Sequence, residues 1–512
     1  MRLLFPYGIN ENDYPDIAEA AADSQNFELS DSNFAFKPRA PFDSVAVTTN
    51  AADVRGFLQL VTRTGTQSTL VQAGDTVYEW AGSESFTSRG VVNASSKLRD
   101  TYWALGEYLV ITDLMKLTQV KKWDGTTFGN LTTGLAGTLY AKYGIVHKNR
   151  VWLFNITEGV SSFPHLILGS AFEDPEEYDS STRVGDSSFV TGNEAFFMVV
   201  PDLRAINGVA VFHDQLIIST EEGRLFKLTG SDATNYDWAE FYAGSAAIGD
   251  ESMANIGNDV VYMRAGGNIE SLIATEKFGD VTTDDLSRWI PATVDGLEGA
   301  IVIYDQTNQK VHFFVSGKVL VLFKDMMTTT KSPWSIYKTQ HDNGFNTSAA
   351  KYMRRPGTDV FTVYFGGSAG QIYDLNGEGI GDGGDTAILT RRKTRYIDSE
   401  LAQIDFRRHI IPGRVQYRRL NEVNLNISFD WGEEFSESTC TVILKGPPTG
   451  DTGIYFGGVI YFSEDIYFNQ GFEFAGKVAT KGFSPAGKGP GFFLTTAVES
   501  TKNFLVDHLE IT

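Results

Sequence analysis

The chain has 512 residues, so more than one domain is expected. It carries 51 Gly, 36 Phe, one Cys and a net charge of −21. The single Cys440 excludes an intramolecular disulfide and a thiolate metal cluster, and the acidity argues against tight binding of nucleic-acid phosphates.

The opening MRLLFPYGINEND has too short an apolar run for a secretory signal, and no uncharged apolar run reaches membrane-spanning length. The segment PDIAEAAAD, 15–23, predicts a short helix opening on proline. From residue 69 onward the pattern is different. Alternating apolar runs joined by polar turns predict hairpins at 69–80, 107–125, 212–230, 258–272, 309–323 and 358–375, with a further strand at 149–154. One strand residue per unit gives Val77, Leu109, Val151, Leu216, Val260, Val311 and Phe361, spaced by 32, 42, 65, 44, 51 and 50 residues. Most gaps are near the roughly 40–50 residues of a four-stranded propeller blade. The 65-residue gap implies an insertion within 155–205. A second short helical stretch is expected at TTDDLSRWI, 282–290, stopped by Pro291.

Many hairpins create many sheet edges, and radial packing leaves those edges short and protected. The fold class is therefore all-β: a β-propeller of about six or seven blades with an insertion, then a C-terminal antiparallel β-sandwich-like domain. The boundaries read 1–42 for an N-terminal arm and closing strand, 43–385 for the propeller, and 386–512 for the C-terminal domain. The charge is uneven, since residues 1–390 hold 29 basic and 49 acidic side chains and residues 391–512 hold 14 and 15.

Several motifs suggest chemistry and fail on context. Gly366-Gly367-Ser368-Ala369-Gly370 fits G-x-S-x-G, but a nucleophile elbow needs a strand-to-helix turn, and here strands flank it. Gly379, Gly381 and Gly384 fit G-x-G-x-x-G, yet no helix follows and Glu378, Asp382 and Asp385 would repel a pyrophosphate. Asp374, Asn376, Glu378, Asp382 and Asp385 have spacings like those of a calcium loop; without flanking helices, a solvated linker is the favoured reading. The seven histidines offer no H-x-x-x-H pair. No catalytic residue, cofactor site or metal site is assigned. The basic run holds Arg391, Arg392, Lys393, Arg395, Arg407, Arg408, Arg414, Arg418 and Arg419, interleaved with Tyr396, Phe406 and Tyr417. Such a run suits a nucleic-acid groove or arginines bridging to acidic neighbours. Beside so acidic a propeller, the protein–protein reading is preferred, and these residues are interface candidates.

Several stretches in order resemble one family, the β-propeller tail nozzle, tail tubular or phage stabilisation proteins of short-tailed bacteriophages. The N-terminal GINENDYPDIAEAAADSQNFELSDSNFAFKPRAPFD is similar to that family's opening at Gly8, Ile9, Asn10, Asn26 and Arg39, while Ala40-Pro41-Phe42 departs from its arginine-proline-glycine turn. HLILGSAFEDPEEY, FHDQLIISTEEGRLFKLTG, GSAAIGDESMANIGNDVVYMRAGGNIESL and GGDTAILTRRKTRYID resemble later stretches of it. The resemblance implies a non-enzymatic virion component made in the bacterial host cytoplasm. It implies a homo-oligomeric ring, usually six-fold, below the portal and adaptor, carrying fibres or a plug protein. Its channel would pass double-stranded DNA into the host. An acidic lumen would suit sliding DNA, because each basic contact releases counterions and holds the phosphates. The alternative is a carbohydrate- or receptor-binding propeller with a pocket of carboxylates and Trp80, Trp103, Trp123, Trp152 or Trp334, although these tryptophans suit packing between blades better.

Overall fold

The structure, a computed structural model, describes residues 37–179, 192–272, 284–327, 332–339 and 345–377, apart from positions 213, 222, 244–246, 248 and 258. It also describes Asp382, Ile388, residues 2–3 and 21–28, and C-terminal strands between 390 and 511.

Seven four-stranded antiparallel meanders follow one another along the chain. Their first strands are Val54–Val61, Leu98–Trp103, Leu139–His147, Ile206–Phe212, Met253–Asn255, Ile301–Asp305 and Ala349–Arg354, defining blades 1 to 7. Each first strand neighbours the next, and that of blade 7 returns to that of blade 1. The molecule is a closed seven-bladed β-propeller. Ring closure uses the N-terminus: Asp43–Val47 is the fourth strand of blade 7, paired with Gln371–Asp374.

The hairpins legible in the sequence are the second and third strands of the blades. Tyr108–Asp113, Val260–Met263 and Lys310–Val315 are buried at every position. A middle strand has a neighbouring blade against each face, so it reads as a continuous apolar run rather than an alternation. The core accordingly comprises seven clusters, one in each gap between blades. Between blades 6 and 7, Phe42 packs edge-on to Phe345, Phe365 and Tyr373 at 5.2–5.4 Å. Fully burying one such ring contributes about 1.5–3 kcal/mol.

Polar side chains lace the blades on the face where the lead-in loops gather. Gln72 of blade 1 donates to Ser96 O at 2.7 Å and accepts from Leu98 N at 3.0 Å. Asn155 of blade 3 donates to Ile206 O at 2.9 Å, and Ser219 of blade 4 accepts from Ala247 N at 3.0 Å. Each satisfies backbone of the next blade that burial would otherwise leave unpaired.

The insertion lies in blade 3, between Ser161–Gly169 and Phe196–Val199. Arg150, fully buried, ties its ends by donating to Ser170 O at 2.5 Å and Glu194 O at 2.7 Å. The helix expected at 15–23 does not reach its end, because Ala21–Gln25 is a strand paired with Thr390–Thr394 and, in parallel, with blade 6. Pairing across two neighbours overrides the local alanine propensity. Of the described residues in 282–290, Asp284–Asp285 is a strand and Leu286–Trp289 a 3₁₀ turn, and Pro291 begins an α-turn, Pro291–Val294, instead of ending a helix. Proline at a first helical position gives up no helical hydrogen bond.

Among the described residues the C-terminal strands join two sheets, antiparallel except where 21–25 meets blade 6. One holds Gly413–Arg418, Val478–Phe483 and Leu505–Ile511. The other runs from blade 6 through 21–25 and Thr390–Thr394 to Phe493–Ser500, Val423–Asp430 and Ser438–Leu444. Strand 21–25 thereby welds the wheel to the C-terminal region.

Candidate functional site at the mouth of the propeller axis

An up-and-down meander puts every lead-in loop, and every turn between second and third strands, on one face. On that face charged side chains converge over the axis. Lys97 and Arg99 begin blade 2, whereas Asp250 and Glu251 lie in the loop leading into blade 5. Lys97 Nζ is 3.3 Å from Glu251 Oε2, and Arg99 pairs with the same carboxylate. Two or more blades separate these residues either way round the ring, so the contact spans the axis. Lys142 and Tyr143 of blade 3 reach Asp250 at 2.6 and 2.9 Å, and Lys351 of blade 7 pairs with Asp100 of blade 2. With Arg55, whose charge also acts on Lys97, and with Asp113 and Glu221, whose charges act on Arg99 and Tyr143, five cations meet five carboxylates. The mouth is thus far less acidic than the protein as a whole, whose net charge is −21.

Burial sets the protonation behaviour here. It pulls the Lys97 ammonium down to about 8, with Arg99 and Arg55 adding repulsion and Asp250 opposing. It pulls the Arg99 guanidinium down to about 10, partly offset by Asp100, Asp113 and Asp250. The Tyr143 hydroxyl is pushed well above its ordinary range by burial, then by Asp250. Both cations remain charged at neutral pH, because each value lies above 7.

Beside the cluster is a cavity of about 460 Å³. Lys97 closes one side. The other is built by blades 6 and 7, with Ile301, Phe314, Val315 and Phe345 as its apolar wall and Thr347 among its polar groups. The site was not found from the sequence: Lys97, Asp250 and Glu251 sit in polar turns that read as solvated surface.

The residues singled out from the sequence lie elsewhere. Ser368 is exposed in a tight strand-to-strand turn, Ser368–Gly370, so G-x-S-x-G is a hairpin connection. Asp374 and Asp382 are fully buried, not solvated linker side chains. Asp374 accepts from Thr362 Oγ1 at 2.5 Å, Asn376 N at 3.0 Å and Arg355 Nη2 at 2.8 Å. Asp382 is paired with Arg39. Carboxylates so committed have little capacity left for a cation. Glu378, Asp385 and the G-x-G-x-x-G glycines lie outside the described residues, and no group of three or more metal-ligating side chains occurs among the described ones.

Of the basic run, Arg391, Arg392 and Lys393 lie on a strand paired on both sides, as do Arg414 and Arg418. The register sets Arg391 opposite Glu499, Lys393 opposite Asp23 and Arg414 opposite Glu510. Arg395, Arg407, Arg408 and Arg419 lie outside the described residues. Trp80, Trp103, Trp123, Trp152 and Trp334 are all at most 3% exposed and belong to inter-blade clusters. No described helix is long and apolar enough to cross a membrane.

No protein-family model matches the chain, and a search of curated proteins gave no match. Solved structures with some likeness include virginiamycin B lyase from Staphylococcus aureus, 12% identical over 65% of this chain and 98% of that one, TM-score 0.43. Chaetomium thermophilum Raptor is 8% identical over 65% of this chain and 29% of that one, TM-score 0.41. PorZ from Porphyromonas gingivalis is 11% identical over 69% of this chain and 42% of that one, TM-score 0.38. The propeller assignment itself rests on this chain's own strand order and on the return of blade 7 to blade 1.

Proposed function

We propose that the chain is a non-catalytic structural protein of a short-tailed bacteriophage virion, a nozzle subunit that forms a ring below the portal and adaptor and lets the genome pass into the host. The observation that carries this reading is the double anchoring of the N-terminal region, 21–47. One segment completes blade 7, and another joins blade 6 to the C-terminal strands. Wheel and C-terminal region thus share one hydrogen-bonded framework, which suits a piece that must bear load without deforming. The resemblance read from the sequence supplies the biological setting.

Ion pairs cross the propeller axis, so a DNA passage belongs between copies of the chain and not through the wheel. The ring is proposed as six-fold, with the adaptor above it and fibres or a plug protein attached. Its lumen draws on the acidic excess of residues 1–390. The carbohydrate-binding alternative draws no support from the five tryptophans, which are packed between blades. Mass photometry and negative-stain imaging of the purified chain, alone and with the cognate adaptor, test the proposal. Closed rings are expected; monomers under both conditions overturn it.

A further inference from the structure

We propose that the rim of the lead-in face at blades 2 to 4 is a docking surface for a second copy of the chain, paired face to face about a two-fold axis. Eleven large apolar side chains are exposed among the described residues, and five of them gather here. Met115 and Leu117 are in the turn between the second and third strands of blade 2, and Val160 and Phe163 are at the corresponding hairpin end of blade 3. Leu203 is in the loop leading into blade 4. Hydrogen bonds make the three places contiguous. Lys116 Nζ, between the two blade 2 residues, donates to Asn155 Oδ1 at 2.7 Å and to Ser162 Oγ at 3.4 Å in blade 3. Val200 N donates to His165 O at 3.1 Å and Asn155 Nδ2 to Ile206 O at 2.9 Å, so the turn carrying Leu203 lies against that same end of blade 3. Val160 is wholly exposed and Leu203 is 63% exposed. A contiguous apolar patch rimmed by polar groups marks an interaction site, whereas single exposed residues do not.

The tips are held rather than loose. Asp113 accepts from Met115 N, Leu117 N and Thr118 N at 2.8–3.0 Å, and Gly159 N donates to Thr138 O at 2.8 Å. A surface fixed in advance loses less entropy on binding. The charges around the tips select the occupant. Lys116 and Arg204 stand among Glu158, Asp202 and Glu221, while Lys142, whose charge acts on Lys116, is itself paired with Asp250. The rim is nearly balanced in a chain of net charge −21, so it is a place where two such chains approach without strong repulsion. A lipid bilayer would have to accept three carboxylates along with the apolar tips, and a strongly charged partner would find no counterpart. A second copy brings apolar tips to apolar tips, and a two-fold axis sets the bases of one copy beside the acids of the other. Such pairing is separate from the side-to-side contacts of a ring and does not rest on them.

The test is sedimentation velocity of the full chain at neutral pH over about 1 to 100 µM, a range that reaches weak association. The wild-type unit, whether monomer or ring, should double in mass as concentration rises. Val160→Asp/Leu203→Asp should weaken the pairing by about tenfold or more. Leu105→Asp, at an exposed apolar position in the first turn of blade 2 on the opposite face, should leave it within about threefold of the wild type. Met115→Asp, at the blade 2 tip, should weaken it by about threefold to tenfold and keeps the test open should the double variant not fold. Melting temperatures establish which variants are folded. A wild type that never doubles, wild-type pairing in the folded double variant, or equal weakening by Leu105→Asp would each overturn the proposal. Single rings in the double variant beside paired rings in the wild type would support the pairing and leave the nozzle reading standing, whereas single rings alone in the wild type would overturn the pairing and not the nozzle.

Discussion

Arg39 and Asp382 lie 343 residues apart and form a bidentate ion pair closed to solvent, with Nη1–Oδ1 2.8 Å and Nη2–Oδ2 2.5 Å. The remaining donors are also used. Nε donates to Asn26 Oδ1 at 2.9 Å, and Nη2 to Lys338 O at 3.1 Å. The guanidinium carbon is 5.5 Å from the ring centres of Tyr337 and Phe345. Asp382 also accepts from Phe42 N at 3.2 Å. The pair pins the N-terminal arm to the chain leaving the propeller, beside the strand that closes the ring.

Removing one partner leaves an uncompensated buried charge. Arg39→Met should therefore destabilise by about 3–5 kcal/mol, read as a lower urea midpoint. Arg39→Lys should fall between, because an ammonium cannot make the fork. The double variant Arg39→Met/Asp382→Leu should be more stable than Arg39→Met alone, since no orphan charge remains. If Arg39→Met unfolds at the wild-type midpoint, the pair is not a latch.

Two glycines with similar backbone angles should respond differently to alanine. Gly65 has φ +83° with open space where a Cβ would go, while Gly267 has φ +88° and its Cβ would sit 1.8 Å from Val294 O. Gly65→Ala bears only the left-handed penalty, about 1–2 kcal/mol. Gly267→Ala must also push back the backbone of the α-turn packed beside blade 5, so its loss should exceed that of Gly65→Ala by about 2 kcal/mol or more. Melting temperatures of the two variants measure the difference; equal shifts would refute the contact.

Acid should destabilise the wheel through His147. The side chain is 7% exposed, and burial, with the Lys148 charge as a smaller cause and Asp214 opposing, holds its pKa down to about 4. The unfolded chain takes up this proton near its ordinary value of about 6.5, before the folded chain does. Stability is therefore lost as pH falls from about 6.5 to about 4 and then levels, by up to about 3 kcal/mol from this group. Asp305, held near 2 although burial alone would raise it, with His312 beside it at 3.9 Å and Asn308 donating to it, adds a separate loss as pH falls from its ordinary value toward 2, when its bonds from Asn308 fail. Urea midpoints of wild type and His147→Gln over this range should diverge in slope at the higher pH values and run parallel below 4.

The sequence made the wheel visible because middle strands are buried on both faces. Val260–Met263 and Lys310–Val315 could hardly read as anything else. The first and fourth strands were hidden. Leu98–Trp103 is half polar because it borders the charged axis, and Phe86–Val91 is largely exposed as an outer edge. The axis cluster was illegible for a related reason. Lys97 and Glu251 are each an ordinary loop charge, and only ring closure brings blade 2 opposite blade 5. Asp382 was misread because its sequence neighbours are glycines and acids, whereas its partner lies near the other end of the chain. Asn26 and Arg39, the resemblance positions whose side chains the structure describes, turn out to be bonded to each other.

Glu251→Gln tests whether the axis is held by charge or merely filled by it. The carboxylate is the shared counter-ion of Lys97 and Arg99, so its loss leaves two cations facing each other in a partly buried place. Glutamine keeps the volume and can still accept a hydrogen bond, which isolates the electrostatic part. A loss of about 1–3 kcal/mol is expected at low ionic strength. It should shrink in high salt, where the Debye length falls from about 10 Å at 0.1 M to about 3 Å at 1 M. It should also shrink as pH rises. Lys97 already titrates near 8, and without Glu251 it would lose its proton earlier still, leaving Arg99 without a like-charged neighbour. Urea midpoints at two salt concentrations and at pH 7 and 9 measure this. A loss independent of both salt and pH would mean that Glu251 acts by packing alone, and that the ion pairs across the axis do not hold the mouth closed.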